Sequence, residues 1–230
     1  MSSAETDQGT RERLLEAACD VFAEKGYRDA TNRDICRRAG ANVAAVNYYF
    51  GSKEALYAEA WRRAFQDIQQ KHPPDGGVPS DAPPEERLRG RVSALIHQIA
   101  DEENQAFLMV HRERAAPTPL LGEMQRKCLK PVIEAITALM RDLLGPGVPE
   151  RRVHFCVAST LSQCVDVMGH LRQSEIREDK KLPGPLEEHL SEDIDEYVDH
   201  VTEFSLAGIR ALRKRFSGDA TEAAADGGGT

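Results

Sequence analysis

The chain has 230 residues, with 30 Lys and Arg against 38 Asp and Glu and a formal net charge of −8. That balance excludes a protein that coats nucleic acid or an anionic membrane by bulk charge, and leaves room only for a local basic surface. No apolar run approaches the roughly 18 residues needed to cross a bilayer, and the opening MSSAETDQGTRER lacks the apolar stretch of a secretory signal. No membrane partner is expected, and the expected setting is cytoplasmic.

Apolar spacing is helical, with no convincing alternating run, so an all-α fold is expected. Residues 1–9 are polar and expected to be disordered. Leu15, Ala18, Cys19 and Phe22 then fall at i, i+3, i+4 and i+7, one face of a helix that Gly26 ends. A short helix is expected from about Asn32 to Ala39, then a tight turn at Ala39-Gly40-Ala41 and another short helix from about Val43 to Tyr49. A longer helix opens at Gly51-Ser52, with Tyr57, Trp61, Ala64, Phe65 and Ile68 as its stripe. Thr31 and Asp34 fit a capping box, while Asn42 and Ser52 are good N-caps.

Residues 71–86, KHPPDGGVPSDAPPEE, carry five prolines and two glycines and read as a mobile loop. Helices follow over about 86–102, 104–115, 119–144 with a kink at Pro131, 149–175 and 191–216. The polar, low-complexity tail 217–230 is expected to be disordered.

Two short helices joined by a Gly-containing turn and set on a longer first helix are the parts of a helix-turn-helix. Stepping about 100° per residue along the second short helix gathers Val43, Val46 and Phe50 in one arc for burial. The opposite arc holds Ala44, Ala45 and Tyr48, flanked by Asn47 and Tyr49. Small side chains there admit the helix into a major groove. Asn can pair with adenine or reach a phosphate, Ala can touch a thymine methyl, and tyrosine hydroxyls can grip phosphates. Between Thr31 and Lys53 the charged residues are Arg33, Arg37, Arg38 and Lys53 against Asp34, a local net of +3. Lys53 opens the next helix, where ammonium and helix dipole both attract phosphate. The alternative, that Tyr48, Tyr49 and Phe50 are simply core aromatics, holds for Phe50. Three consecutive aromatics on one short helix cannot all face the same side.

The segment from Thr10 to Tyr57, and above all AGANVAAVNYYFGSKEAL at 39–56, resembles the DNA-binding domain of TetR/AcrR-type transcriptional regulators. The family commonly has Ser where Asn42 stands and Tyr where Asn47 stands. HRERAAPTPLL, followed by a long helix and LLG, is similar to the effector domain of the CecR-like subgroup. The resemblance implies a helix-turn-helix domain over 10–57 and a helical effector and dimerisation domain over 58–216. It implies that Thr31 and Arg33 approach DNA from the second helix, that Ala44, Ala45, Asn47, Tyr48 and Tyr49 lie in or beside the groove, and that Lys53 holds the backbone.

A lone helix-turn-helix buries little DNA surface, so a homodimer reading a palindromic double-stranded operator is expected. Val201, Phe204, Ser205, Gly208 and Leu212 form a stripe on the last helix, and Val157 and Leu161 belong to a second on the helix from 149. Two such helices per subunit would build a four-helix bundle, as the family does; the alternative is that both stripes are intramolecular core. Family members generally bind a small molecule among these helices, and its preference for one spacing of the DNA-binding heads alters DNA affinity. Candidate lining residues are Phe107, His111, Cys164 and Met168, with Gln163 or His97 as polar contacts. Plain core packing explains each of the six as well.

Cys19, Cys36, Cys128, Cys156 and Cys164 are scattered and expected as reduced, mostly buried thiols. Metal-ligand spacing is absent, and so are GxSxG, HExxH, Walker A and dinucleotide fingerprints. No metal, no cofactor and no enzyme activity are therefore expected. The leading expectation is a ligand-responsive homodimeric repressor. The alternative is a helical adaptor or a small-molecule-binding enzyme whose helix-turn-helix does not bind DNA.

Overall fold

The computed structural model describes residues 3–115, 119–176 and 193–226. Among these residues every regular element is a helix: α1 (Ser3–Asp29), α2 (Asn32–Ala39), α3 (Ala44–Phe50), α4 (Lys53–Lys71), α5 (Pro84–Ala100), α6 (Gln105–Ala115), α7 (Pro119–Leu144), α8 (Glu150–Ile176) and α9 (Ile194–Asp226). The proline-containing connection 182–189 lies outside the described residues. No helix among them is long and apolar enough to cross a membrane.

Two compact units divide the chain, residues 1–71 with 102–130, and residues 72–101 with 131–230. The boundary differs from the 57/58 division implied by resemblance, because α6 packs with the first helices. Met109 is fully buried in their core, Gln105 Nε2 donates to Asp20 at 2.6 Å, and Arg112 Nε donates to the Ala23 carbonyl at 2.6 Å. The second boundary falls at Pro131 inside α7, where the ring removes the N–H that would bond the carbonyl four residues back.

In the first unit, Leu15, Ala18, Cys19 and Phe22 of α1 are buried as their spacing requires, and Gly26 leaves helical geometry at φ 75°, ψ 173°. Tyr57, Trp61, Ala64 and Ile68 of α4 are buried. Phe22 meets Tyr57 edge-on at 4.8 Å, and Trp61 stacks on Phe65 at 5.0 Å. Aromatic pairs of this geometry add to the area term and fix how the helices approach.

In the second unit, α7 buries Ile136, Leu139, Met140, Leu143 and Leu144, an i, i+3, i+4, i+7, i+8 stripe. The inward stripe of α9 is Val198, Val201, Thr202, Ser205, Leu206 and Ile209, against α5 and α8.

The segments expected to be disordered or mobile lie in part within the described residues. Helix α1 starts at Ser3 and α9 continues to Asp226, with the good helix formers Ala and Glu near each end. The loop after α4 is closely packed: a Cβ on Gly90 of α5 would meet the Asp75 carbonyl at 2.5 Å. Gly90 thus lets the proline-rich segment lie directly on the helix backbone.

Candidate nucleic-acid interface

The helix-turn-helix is punctuated by three local devices. The Thr31 hydroxyl accepts the Asp34 N–H at 3.1 Å, while the Asp34 carboxylate accepts the Thr31 N–H at 3.3 Å, closing a capping box. Helix α2 ends at Gly40 in the left-handed conformation, φ 63°, which glycine adopts without Cβ strain. Asn42 then opens α3, its side-chain oxygen accepting the Ala44 N–H and its carbonyl accepting the Ala45 N–H, both at 2.9 Å. Ser52 caps α4 through the Ala55 N–H at 3.1 Å.

These caps orient α3 so that Val46 and Phe50 are buried while Ala44, Asn47 and Tyr48 face outward. Tyr48 is 74% exposed. Ala45 and Tyr49 are half-buried at the flanks, and the Tyr48 and Tyr49 rings meet edge-on at 4.8 Å. The inward arc omits Val43, which is 49% exposed. With only seven residues in α3, that arc closes over Val46 and Phe50, and Val43, in the turn ahead of the helix, stays at its edge.

Thr31 and Arg33 are exposed, and Arg33 has no ion pair among the described residues. Arg37 and Lys25 both pair with Asp34, and Arg38 pairs with Glu24, so these cations are partly neutralised. Lys53 is half-buried with its ammonium 4.5 Å from the centre of the Tyr27 ring, and burial lowers its pKa. The Tyr27 hydroxyl donates to Glu54 at 2.6 Å, and burial first, then Glu54, pushes its pKa up to about 12. Tyr27 therefore fixes the Lys53 stem at the start of α4.

Hydrogen bonds from Thr31, and next Lys25, hold the Asp34 carboxyl at about 2, below its ordinary 3.8. A folded-state value below the unfolded one means that this carboxylate stabilises the fold above roughly pH 4 and loses that contribution as pH falls toward 2. Thermal melts followed by circular dichroism from pH 5 to pH 2 should show a shallower loss of stability for Asp34→Asn than for wild type. Parallel losses would remove the capping box from the acid response.

The residues suggested for an effector pocket are split between the units. Phe107 and His111, stacked at 6.3 Å, belong to the first. The second holds Cys164 and Met168, both buried, with His97 and Gln163 half-buried. His97 Nδ1 lies 2.9 Å from the Ser93 carbonyl, and Gln163 Nε2 donates to the Ser159 carbonyl at 3.2 Å. Burial pushes the Cys19 and Cys164 thiols up to about 12 and raises Cys36, so none is primed as a thiolate.

Of the suggested dimer contacts, Phe204 is 63% exposed, Gly208 is exposed, and Leu161 and Leu212 are half-buried. Val157 and Val201 instead belong to the core of their own unit, and Ser205 is buried with its hydroxyl 3.3 Å from that of Thr160. The spacing selected a stripe that straddles the inward and outward faces of α9. Sequence reading missed Phe155, 49% exposed on α8 and flanked by the guanidinium groups of Arg151 and Arg152 at 5.4 and 5.9 Å. Phe155, Phe204, Gly208 and Leu212 line an open groove of about 230 Å³ with Cys156 and Ser159.

Two short capped helices presenting a small-residue, tyrosine-bearing face make up a helix-turn-helix. The family described as bacterial regulatory proteins, tetR family, matches residues 14–60, and the C-terminal domain of the HTH-type transcriptional dual regulator CecR matches residues 84–209. The chain belongs to the TetR family of transcriptional regulators, with a C-terminal domain of the CecR type. It is 51% identical over 153 residues to the dual regulator CecR of Shigella flexneri, covering 62% of this chain and 68% of that protein. The transcriptional repressor KstR2 of Mycobacterium tuberculosis is 33% identical over 112 residues, which is 46% of this chain and half of that repressor. The fold is shared with the fatty acid degradation regulator FadR from Bacillus halodurans, at a TM-score of 0.63 and 17% identity over 87% of this chain and 96% of that one. A transcriptional regulator from Rhodococcus sp. Rha1 matches with a TM-score of 0.60 and 25% identity, over 86% and 95%. These relatives are regulators, not enzymes.

Proposed function

We propose that the protein is a cytoplasmic, homodimeric repressor that reads a two-fold-related DNA operator and leaves it when a small molecule binds. The observation that carries this reading is the outward face of α3. Tyr48 is the most exposed of the large hydrophobic side chains in the described residues, and it stands beside Ala44 and Asn47 on a helix whose other face is sealed. A tyrosine left in water, with the Tyr49 ring as its aromatic neighbour, has little stabilising role in the fold and is suited to groove docking.

Ala44, Ala45 and Asn47 would read base edges, while Thr31, Arg33, Tyr48, Tyr49 and Lys53 would hold backbone phosphates. The second copy would dock on Phe204, Gly208, Leu212 and Leu161, joined by Phe155. For the effector, Cys164 and Met168 would supply apolar wall and Gln163 and His97 polar contacts within the second unit.

Full-length protein incubated with genomic fragments should enrich duplexes with inverted half-sites separated by one helical turn or a multiple of it. In a mobility-shift titration, binding should fall steeply with added salt as phosphate contacts release counterions. Lack of enrichment, or a flat salt response, would exclude groove docking and favour an adaptor that binds protein.

A further inference from the structure

The start of α1 bears on the reading helix through one contact. The Tyr49 hydroxyl of α3 donates a hydrogen bond to Asp7 Oδ1, across 42 residues of chain. Thr10, one turn along α1, is a second hydrogen-bond neighbour of the same phenol. Thr10 Oγ1 in turn accepts from Arg13 Nη2 at 3.1 Å, and Arg13 Nε donates to the Ala39 carbonyl at 3.3 Å. Asp7, Thr10 and Arg13 recur every three residues, so one face of α1 follows the end of α2 and the side of α3.

Like Glu54, which accepts the Tyr27 hydroxyl, Asp7 accepts a phenol, and both differ from the ion-paired carboxylates of this region. Asp34 pairs with Lys25 and Arg37, Glu24 with Arg38, and Glu59 with Arg11. Asp7 is exposed, and its recorded partner is a neutral phenol. The bond holds the Tyr49 proton in place, in keeping with the upward shift of the phenol, for which Asp7 is the largest cause. A DNA phosphate approaching Tyr49 would ask for the same proton and would meet an anion that forms no ion pair with a cation among the described residues.

We propose that Asp7 sets the affinity of the protein for duplex DNA by competing with a backbone phosphate for the hydroxyl of Tyr49. This rests on the reading that α3 docks on DNA. Asp7 acts through Tyr49 and is a positioning residue, which tunes affinity without choosing sequence, because phosphates carry no base information.

The test is a double-mutant cycle on full-length protein, with a duplex recovered in the genomic selection and a mixed-sequence duplex of equal length as a backbone-only probe. Asp7→Ala should tighten binding about three- to tenfold at low salt on both probes. In a Tyr49→Phe background most of that gain should vanish, because the contested proton is gone. Asp7→Asn, which removes the charge and keeps an acceptor, should lie between wild type and Asp7→Ala with an unchanged melting temperature. An equal gain in both backgrounds would overturn the proposal in favour of simple charge repulsion. Weaker binding with a lowered melting temperature in both variants would overturn it in favour of a structural anchor for α1. Wild-type protein that binds duplex while Asp7→Ala leaves affinity unchanged overturns the proposal alone. Wild-type protein that retains neither probe overturns the docking reading as well.

Discussion

Phe204→Asp should convert the protein from dimer to monomer at micromolar concentration while leaving its helical content and melting temperature nearly unchanged. The expectation follows from the two faces of α9. Val201, Thr202, Ser205 and Ile209 turn inward, whereas Phe204 stands 63% exposed beside Gly208 and the groove that Phe155 and Leu212 help to line. A large aromatic beside a floor of Gly and Ser can insert into the same groove of a second copy, and burying it there is worth about 1.5–3 kcal/mol. A carboxylate in its place loses that apolar burial and must be desolvated, a cost that Arg152 on the groove wall offsets only in part, so the total change should exceed about 3 kcal/mol, more than a hundredfold in dissociation constant. Val201→Asp is the contrasting case. Its site is fully buried inside the unit, and that variant should lose the fold itself. Analytical ultracentrifugation separates the outcomes, and a Phe204→Asp protein that stays dimeric would move the interface off α9.

The second large effect is expected at α3. Tyr48→Ala should weaken binding to a selected duplex by about 1–3 kcal/mol, roughly ten- to a hundredfold, with dimerisation and thermal stability unchanged. Its side chain is 74% exposed and supports little of the core, so a stability loss would have to come from elsewhere. Lys53→Ala should behave differently. It should weaken all duplexes alike and lower the salt slope by about one. It should also lose a little stability, about 0.5–1 kcal/mol, because the ammonium sits over the Tyr27 ring. Mobility-shift titrations at several salt concentrations distinguish a neutral hydrogen bond to phosphate, which leaves the salt slope unchanged, from a charged one, which lowers it. Unchanged affinity in both variants would remove these residues from the interface.

Much of this arrangement can be read from residue order, and the places where it cannot are informative. The caps at Thr31, Asn42 and Ser52 are local devices, each settled by side chains within three residues of the backbone group they satisfy. Helix bounds beyond the first loop follow the apolar period to within a few residues, from α5 to α8. Phase is harder than period. Helix α9 carries apolar residues on two sides, and nothing within the helix says which side meets α5 and α8. Spacing alone therefore groups Val201 with Phe204, although one is sealed and the other faces out. Val43 failed for a related reason, being placed on the inward arc of a helix too short to cover it. Contacts far apart in sequence leave no local signal at all. The hold of Asp7 on Tyr49, of Gln105 on Asp20 and of Arg112 on the Ala23 carbonyl span 42, 85 and 89 residues. The last two draw α6 into the first unit and split the suggested effector contacts between the units.

Contact between the outward face of α3 and DNA can be read from a photo-crosslinking side chain substituted at position 48, compared with the same group at Glu102. Efficient crosslinking to a selected duplex is expected from position 48, suppressed by excess unlabelled duplex or by raised salt, and none from position 102. Crosslinking that is equal from both positions, or absent from position 48 while the duplex is demonstrably bound, would contradict that contact.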